Sequence, residues 1–385
     1  MRPNRILPGK MIGILGGGQL GRMMATAARH MGYRIAVLDP TPDCPAAQVS
    51  DHHIVAAYDD LQAIKQLAEI SDVVTYEFEN VDLAAARYLE AEGVLPQGSE
   101  LLKITQDREV EKSRLVDSSL PVPAFAIIYH HSELAEKAAE VGLPFVLKTC
   151  RGGYDGKGQM IAKTENDLAA AEQFVASNSR CIIERFIPFE KEISVVFTRS
   201  AAGEITYFPV AENQHKNHIL HQTTVPADIS ANLENNAQAA AKTVAESLSV
   251  VGTFAIEMFV VGEEILINEM APRPHNSGHF TIEACNVSQF EQHIRAVCGL
   301  PLVPVLFHGG AIMLNLLGAE MEEYVQAENE FTNGHLHIYG KQGIKPNRKM
   351  GHVTYVGSNI EETRKQFEKT HASDSSFSGA SQPVW

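Results

Sequence analysis

Short runs that are apolar at every position alternate with amphipathic stretches of helical period over the first hundred residues. Strands are predicted at residues 11–15, 34–38, 53–57 and 72–76, and helices at 19–30 and 59–68. Apolar strands between helices predict a parallel, doubly wound α/β unit. A helix over 107–118 then meets Leu120-Pro121-Val122-Pro123, whose prolines mark a boundary. The rhythm changes over 122–186, where strands at 125–129, 145–148 and 181–184 form a smaller α+β unit. Longer alternating strands follow at 192–199 and 205–211, with a helix at 232–248. Two apolar runs broken by Val261-Gly262-Glu263-Glu264 then read as a hairpin. Residues 311–352 read as further strands that close the last unit, and 373–382, rich in Ser and Gly, as a loose tail. No internal repeat is found.

Composition narrows the classes. The 385 residues are enough for two or three domains with real cores, and the formal net charge of −15 argues against a general nucleic-acid or membrane-surface binder. An anionic ligand would need a local basic pocket. No apolar run approaches the length of a membrane span, and residues 1–10 lack the apolar stretch of a signal peptide. Cys44, Cys150, Cys181, Cys285 and Cys298 are scattered, with no Cys-x-x-Cys pair. They read as reduced thiols of a cytoplasmic protein without a zinc site.

The hairpin carries the most informative chemistry. Glu257 and Glu269 interrupt apolar runs, where a carboxylate is disfavoured. Their separation is even, so without a bulge both face the same side of the sheet. A three-residue loop at 262–264 would set them directly opposite, with Cβ atoms roughly 5 Å apart. Two such acids cannot both ionise easily unless a cation lies between them, and Mg²⁺ suits hard oxygen ligands. Asn268 would add a neutral oxygen. A hairpin with one solvated face remains the alternative. The segment that follows, Arg273-Pro274-His275-Asn276-Ser277-Gly278-His279, is dense in anion-binding groups, and a metal pair beside an anion pocket suggests phosphoryl chemistry.

Three further segments bear on ligands. Gly16-Gly17-Gly18-Gln19-Leu20-Gly21 follows a strand and opens a helix, with Asp39 near the position of a ribose-binding acid. This pattern fits a nicotinamide dinucleotide site, any phosphate at a helix N-terminus, or a tight turn alone. Lys148-Thr149-Cys150-Arg151-Gly152-Gly153-Tyr154-Asp155-Gly156-Lys157-Gly158 is a glycine loop between strands, and not a P-loop. Its N–H groups could approach phosphate oxygens while Lys148 and Lys157 supply charge, as a lid would; an ordinary turn is the alternative. Glu184-Arg185-Phe186-Ile187 precedes Pro188 like a hinge, where exposed backbone groups could meet an adenine edge and Glu192 ribose hydroxyls. Lys341, Arg348, Lys349 and His352 cluster late in the chain, either as solvated charge or as the counterpart of a phosphorylated substrate.

The order of these elements resembles the ATP-grasp superfamily. Within it, the chain is similar to the 5-(carboxyamino)imidazole ribonucleotide synthase family. The motifs that carry the likeness are Gly16 to Arg22, Tyr76-Glu77-Phe78-Glu79-Asn80, Gly152 to Gly158 and Asn268-Glu269-Met270-Ala271-Pro272-Arg273-Pro274-His275-Asn276-Ser277-Gly278-His279. The resemblance runs from about residue 9 to 352. It implies an α/β and α+β architecture: a Rossmann-like domain at 1–118, a small lid domain at 119–187, and a larger mixed-sheet catalytic and C-terminal domain at 188–385, with 372–385 a flexible tail.

The resemblance also implies a reaction: ATP, bicarbonate and aminoimidazole ribonucleotide give the N5-carbamate, ADP and phosphate through carboxyphosphate. Arg108 and Lys148 would contact ATP phosphates, and Gly153, Tyr154, Asp155, Gly156, Lys157, Gly158 and Gln159 would cover them. Glu184, Arg185, Phe186 and Ile187 would receive adenine, Glu192 the ribose, and His215 would lie near the nucleotide. Glu257, Asn268 and Glu269 would hold two Mg²⁺ ions at the phosphates. Arg273, His275, Asn276, Ser277 and Gly278 would position bicarbonate, with Arg273, His275, Asn276 and Lys148 acting in catalysis. The same five residues from Arg273 to Gly278, with Gln19, Leu20, Glu77, Asn80, Tyr154, Asp155, Lys341, Arg348 and Lys349, would surround the ribonucleotide. A cytoplasmic homodimer without biotin is implied, and no Met-Lys-Met attachment motif occurs. Rival readings are another ATP-grasp ligase such as the formate-using glycinamide ribonucleotide transformylase, a nicotinamide-dependent oxidoreductase, and a nucleotide-binding regulator without turnover.

Overall fold

The computed structural model describes residues 5–153, 158–178, 180–318, 320–326 and 334–370. The expected lid residues Tyr154, Asp155, Gly156 and Lys157 and the expected tail at 372–385 lie outside them.

Three sheets organise the chain. The first holds β1 (Met11–Leu15), β2 (Arg34–Leu38), β3 (His52–Ile54) and β4 (Val73–Tyr76), all parallel, in the order β3-β2-β1-β4. Strands β1 and β4 are buried at every position, as continuous apolar runs require when helices cover both faces. One covering helix is Gln19–His30. Its Met23 and Met24 pack against Phe290, Ile294 and Val297 of the distant helix Gln289–Val297, so the first sheet and the C-terminal half share one core.

The second sheet comprises β5 (Phe125–Ile128), β6 (Phe145–Thr149), β7 (Gln159–Ala162) and β8 (Cys181–Arg185), antiparallel, in the order β5-β8-β6-β7. The glycine loop joins β6 to β7. Before this sheet, helix Arg108–Asp117 starts at Asp107, whose carboxylate caps the N–H of Glu109.

The third sheet has nine strands: β9 (Lys191–Arg199), β10 (Ile205–Tyr207), β11 (Ala211–Lys216), β12 (Ile219–Val225), β13 (Gly252–Val261), β14 (Glu264–Ala271), β15 (Gly310–Leu317), β16 (His335–Ile338) and β17 (Lys349–Gly357). Their order is β14-β13-β9-β11-β12-β15-β17-β16, with β10 paired to β9. Helix Ala231–Ser247 covers one face. Ser230 caps it through the N–H of Leu233, and Leu233, Ala237, Ala240, Ala241 and Val244 recur at helical spacing toward Phe254, Ile256 and Met258.

Some expected elements differ. The single strand expected at 205–211 is two, β10 and the start of β11, because Pro209 lacks an N–H and the register along the same edge of β9 slips by one residue between Tyr207 and Ala211. The strand expected at 53–57 is the short β3. Strand β12, rich in His, Gln and Thr, was not anticipated. The stretch expected as strands alone, 311–352, also contains helix Glu320–Gln326.

Candidate active site

Glu257 of β13 stands directly opposite Glu269 of β14, the pairing expected from sequence. The cause is different. Val261 pairs with Glu264, so the turn is two residues, Gly262-Glu263, and Gly262 takes φ +57°. A regular ladder from that turn would leave the acids one residue out of register. The register instead shifts between Glu257 and Met258, which pairs with Ile267, so Asn268 is the extra residue of a bulge. Asn268 and Glu269 thereby both oppose the single Glu257.

Lys112 secures that bulge. It lies in helix Arg108–Asp117, 1% exposed, and its Nζ donates to the carbonyls of Ile267 at 3.1 Å and Asn268 at 2.7 Å. The same Nζ is 3.0 Å from Glu184 Oε1, and Lys148 Nζ is 2.6 Å from Glu184 Oε2. Burial works to raise the Glu184 carboxyl, but the charges of Lys112 and Lys148 outweigh it and bring it down to about 2. Beside Lys112, the Glu111 carboxylate accepts the Met270 N–H at 2.6 Å, and burial pushes this carboxyl up to about 8.

Around Glu257 the charges interlock. Burial, then the charges of Glu269 and Glu192, push its carboxyl up to about 8. His215 Nδ1 lies 2.9 Å from Glu192, and that contact, with the charge of Glu257, overcomes burial and raises the imidazole to about 9. Ligand atoms of Glu192, His215 and Glu257 all lie within 4.8 Å of one another. A carboxyl displaced upward by neighbouring acids is one a cation would restore to its charged form. The donor set of Glu257, Glu269 and Asn268 therefore fits a hard divalent ion such as Mg²⁺.

Next to this cluster, Arg273 Nε lies 2.6 Å from Glu79 Oε2. His275 Nε2 is 3.3 Å from Glu257 Oε1, and burial with the charges of Arg273 and Lys349 holds its imidazole well below the ordinary histidine value. The amides of Asn276 and Asn315 exchange two hydrogen bonds, at 3.0 and 2.5 Å. Gln289, fully buried, receives the His275 N–H at 2.9 Å and donates to the His275 carbonyl at 2.7 Å. Lys349 begins β17 on the opposite side, and its charge also reaches Glu257 and His215. Lys341 Nζ donates to the Lys349 carbonyl at 2.7 Å, whereas the Arg348 guanidinium is turned to its own loop, at the Gln342 carbonyl.

Other expected residues fall as follows. Arg108 donates to the carbonyls of Thr149 and Gly153 at the two ends of the glycine loop's near half. The Gly158 carbonyl closes the far half on the Thr149 N–H, and Gln159 pairs with Lys148. The backbone N–H groups of Arg185 and Phe186, expected to be open to an adenine edge, are committed to the carbonyls of Ala124 and Pro144. Leu20 packs into the core of the first unit, so only its main chain can meet a ligand. Asn80 is exposed.

The glycine-rich turn does not present a dinucleotide site. Asp39 accepts the Gly17 N–H at 2.7 Å and the Tyr58 hydroxyl at 2.6 Å. Glu77 accepts the Gly18 and Gly21 N–H groups at 2.5 and 2.6 Å. The amides that would hold a pyrophosphate thus already face two carboxylates, and a Cβ on Gly18 would lie 2.5 Å from Glu77 Oε1. Sequence reading missed the roles of Glu79, Glu111, Lys112, Gln289 and Asn315. Three of them left a signal: Lys112 is a lysine three residues before the buried Leu115 of its helix, Asn315 interrupts the apolar run of β15, and Glu79 lies in the Tyr76 to Asn80 motif.

With this geometry in place, the chain can be set beside known proteins. It matches the ATP-grasp domain over residues 113–290, the ribonucleotide synthetase preATP-grasp domain over 9–106, and the phosphoribosylaminoimidazole carboxylase C-terminal domain over 311–366. It is 49% identical, over 91% of its length and 92% of the relative's, to N5-carboxyaminoimidazole ribonucleotide synthase of Bacillus subtilis. The chain belongs to the N5-carboxyaminoimidazole ribonucleotide synthase family. It is an ATP-grasp ligase. Solved synthase structures agree. An ADP complex superposes with TM-score 0.93 at 51% identity, covering 97% of this chain and 99% of that one. The Staphylococcus aureus synthase complexed with ADP gives 0.91 at 40%, covering 95% and 98%. The Aspergillus clavatus synthase in complex with ADP and 5-aminoimidazole ribonucleotide gives 0.86 at 28%, covering 97% and 99%.

Proposed function

We propose that the acid hairpin, the Lys148–Glu184 pair and the Arg273–His275 segment form one site in which ATP activates bicarbonate beside the ribonucleotide amine. The overall reaction is that of the family: ATP-dependent carboxylation of 5-aminoimidazole ribonucleotide to its N5-carboxy form in purine biosynthesis. The observation that carries the residue assignment is the bulged pairing of Glu257 against Asn268 and Glu269, with the Glu257 carboxyl raised to about 8. Glu257, Glu269 and Asn268 would hold Mg²⁺, which when bound neutralises phosphate charge and aligns the γ-phosphoryl group.

The protein's own groups do the rest. Lys148 and Arg108, at the two ends of the glycine loop's anchor, supply positive charge at the phosphates. Arg273 offers a fork of donors to bicarbonate, an anion that reacts poorly with a polyanionic phosphate unless charge is neutralised. His275 and Asn276, fixed by Gln289 and Asn315, present further hydrogen-bond donors to carboxyphosphate. The glycine loop, through Gly153, Gly158 and Gln159, would exclude water from that short-lived anhydride. Glu192 and Ile187 would bind the nucleoside, and Lys341 and Lys349 the phosphate of the ribonucleotide, whose imidazole would reach Gln19, Glu77 and Asn80.

The proposed division of labour follows the units 1–118, 119–187 and 188–385. A cytoplasmic homodimer belongs to the same reading; no helix among the described residues is long and apolar enough to cross a membrane. ADP release with Mg·ATP and bicarbonate, measured with and without aminoimidazole ribonucleotide, tests the whole. Strong stimulation by the ribonucleotide, lost without bicarbonate, is the expected result; turnover indifferent to both would refute it.

A further inference from the structure

Behind His275 runs a line of buried polar side chains: Ser277, expected from the sequence to meet the anion but with its side chain fully buried, and three residues that the reaction scheme does not use. Ser277 Oγ lies 2.8 Å from His275 Nδ1, and Ser194 Oγ donates to Ser277 Oγ at 2.7 Å. Asn213 Nδ2 donates to Ser194 Oγ at 3.0 Å, and Thr223 Oγ1 donates to Asn213 Oδ1 at 3.1 Å. All four are nearly or fully inaccessible, with Ser194, Thr223 and Ser277 at 0% and Asn213 at 4% exposure. They come from β9, β11, β12 and the turn after β14, so the sheet itself sets their spacing.

The line has a direction. Thr223 gives its only hydroxyl proton to Asn213, and Ser194 gives its own to Ser277. Ser277 is then left with its proton for His275 Nδ1. A second contact agrees independently: the Ser277 backbone N–H donates to the same Nδ1 at 3.3 Å. A backbone N–H can only donate, so Nδ1 is an acceptor and carries no proton. The ring proton must sit on Nε2, which faces Glu257 Oε1 at 3.3 Å. An imidazolium, or the Nδ1–H tautomer, would set a ring N–H against the Ser277 N–H.

We propose that Ser194, backed by Asn213 and Thr223, is a positioning residue for carboxylation: it locks His275 as the Nε2–H tautomer, with that N–H aimed at the acid cluster where the reacting anion is bound. This rests on the reading of His275 given above. Without the incoming Ser194 hydrogen bond, Ser277 can turn its hydroxyl and accept from a ring N–H, and the two tautomers approach each other in energy.

Nitrogen-15 spectra of histidine-labelled enzyme, with His275→Gln used to assign the ring, read the tautomer directly, and steady-state kinetics are measured on the same proteins. Wild type should show the proton on Nε2 alone. Ser194→Ala should show averaging between tautomers, a kcat lower by about fivefold as expected for one hydrogen bond, and KM values for Mg·ATP and ribonucleotide within about twofold. Ser194→Thr should restore both signatures. Thr223→Val, at the far end of the line, should move both in the same direction by less, and serves if Ser194→Ala does not fold. A wild-type ring protonated on Nδ1 overturns the proposal, as does a Ser194→Ala enzyme with unchanged tautomer or unchanged kcat. Wild-type turnover indifferent to the ribonucleotide would instead refute the proposed function, and the ring spectrum would still report on the lock.

Discussion

Lys112→Met should weaken both the fold and nucleotide binding. Methionine replaces the aliphatic stem at similar volume, so little cavity forms. What is lost is a charge with three oxygen partners: Ile267 O at 3.1 Å, Asn268 O at 2.7 Å and Glu184 Oε1 at 3.0 Å. Removing one member of a buried ion pair destabilises by about 3–5 kcal/mol. The two orphaned carbonyls act in the same direction but do not add in full, because the bulge can relax. With an unfolding entropy of about 0.8 kcal/mol per kelvin for 385 residues, a fall in Tm of about 4–6 °C follows. Relaxation of the bulge also moves Asn268 and Glu269 relative to Glu257, so the Kd for Mg·ATP should rise at least about tenfold. Thermal unfolding and titration of Mg·ATP against wild type and Lys112→Met give both numbers. A Tm within about 2 °C of wild type and an unchanged Kd would refute the role assigned to Lys112.

Other outcomes follow from the same charges. Glu269→Gln should abolish metal-dependent turnover while leaving the circular dichroism spectrum and Tm near wild type; near-normal activity would remove Glu269 from the metal site. Lys349→Ala should weaken ribonucleotide binding more than ATP binding, and equal loss of both in calorimetry would place Lys349 elsewhere. The Glu184 carboxyl is at about 2 when folded against an ordinary 4.5, so its stabilisation is present above the unfolded value and fades as pH falls from about 4.5 toward 2. The shift corresponds to about 3 kcal/mol, and urea midpoints of wild type and Glu184→Gln should converge across that acid window. Glu257 is shifted the other way, to about 8, so protons compete with the metal below that value. Apparent Mg²⁺ affinity should therefore rise between pH 6 and 8, and a flat titration series would count against the pair as ligands.

Much of this was legible in the sequence because the chemistry contradicted its surroundings. Glu257 and Glu269 stood out as acids in apolar runs, and their pairing was foreseen. The bulge was not, because it depends on Lys112, whose contact to Asn268 spans 156 residues of chain. No local pattern records such a partner. The same holds for Glu79, which binds Arg273 across 194 residues. Strand β12 was not foreseen because His221, Gln222, Thr223 and Thr224 break its apolar pattern; the strand lies beside the site, with Thr223 hydrogen-bonded into the buried network behind His275. The turn from Gly16 to Gly21 was legible as a turn, whereas its ligand was not. Asp39 and Glu77 fill it from just past the ends of β2 and β4; spacing placed Asp39 nearby, but as a ribose acid, and not as the acceptor of the Gly17 N–H, while the hold of Glu77 on Gly18 and Gly21 has no local signal.

On the proposed reading, the charges of the site also explain how an acidic chain could take three anionic reactants. Its cations are not simply exposed. Lys148 is held by Glu184, Arg273 by Glu79, and the protonated His215 by Glu192. Each pair keeps a positive group at a fixed place in a low-dielectric setting, where an unpaired charge would be strongly disfavoured. An incoming phosphate or bicarbonate then finds donors already oriented, and little reorganisation remains for the step in which negative charge builds up. The acids of the hairpin work in the opposite sense. With Glu257 raised to about 8, they hold fewer negative charges than their number suggests until a cation arrives. Metal and nucleotide should therefore bind with positive coupling. On the proposed reading a bound cation would favour the charged form of Glu257, and Lys148, which Glu184 already holds in position, would meet the phosphates of the nucleotide.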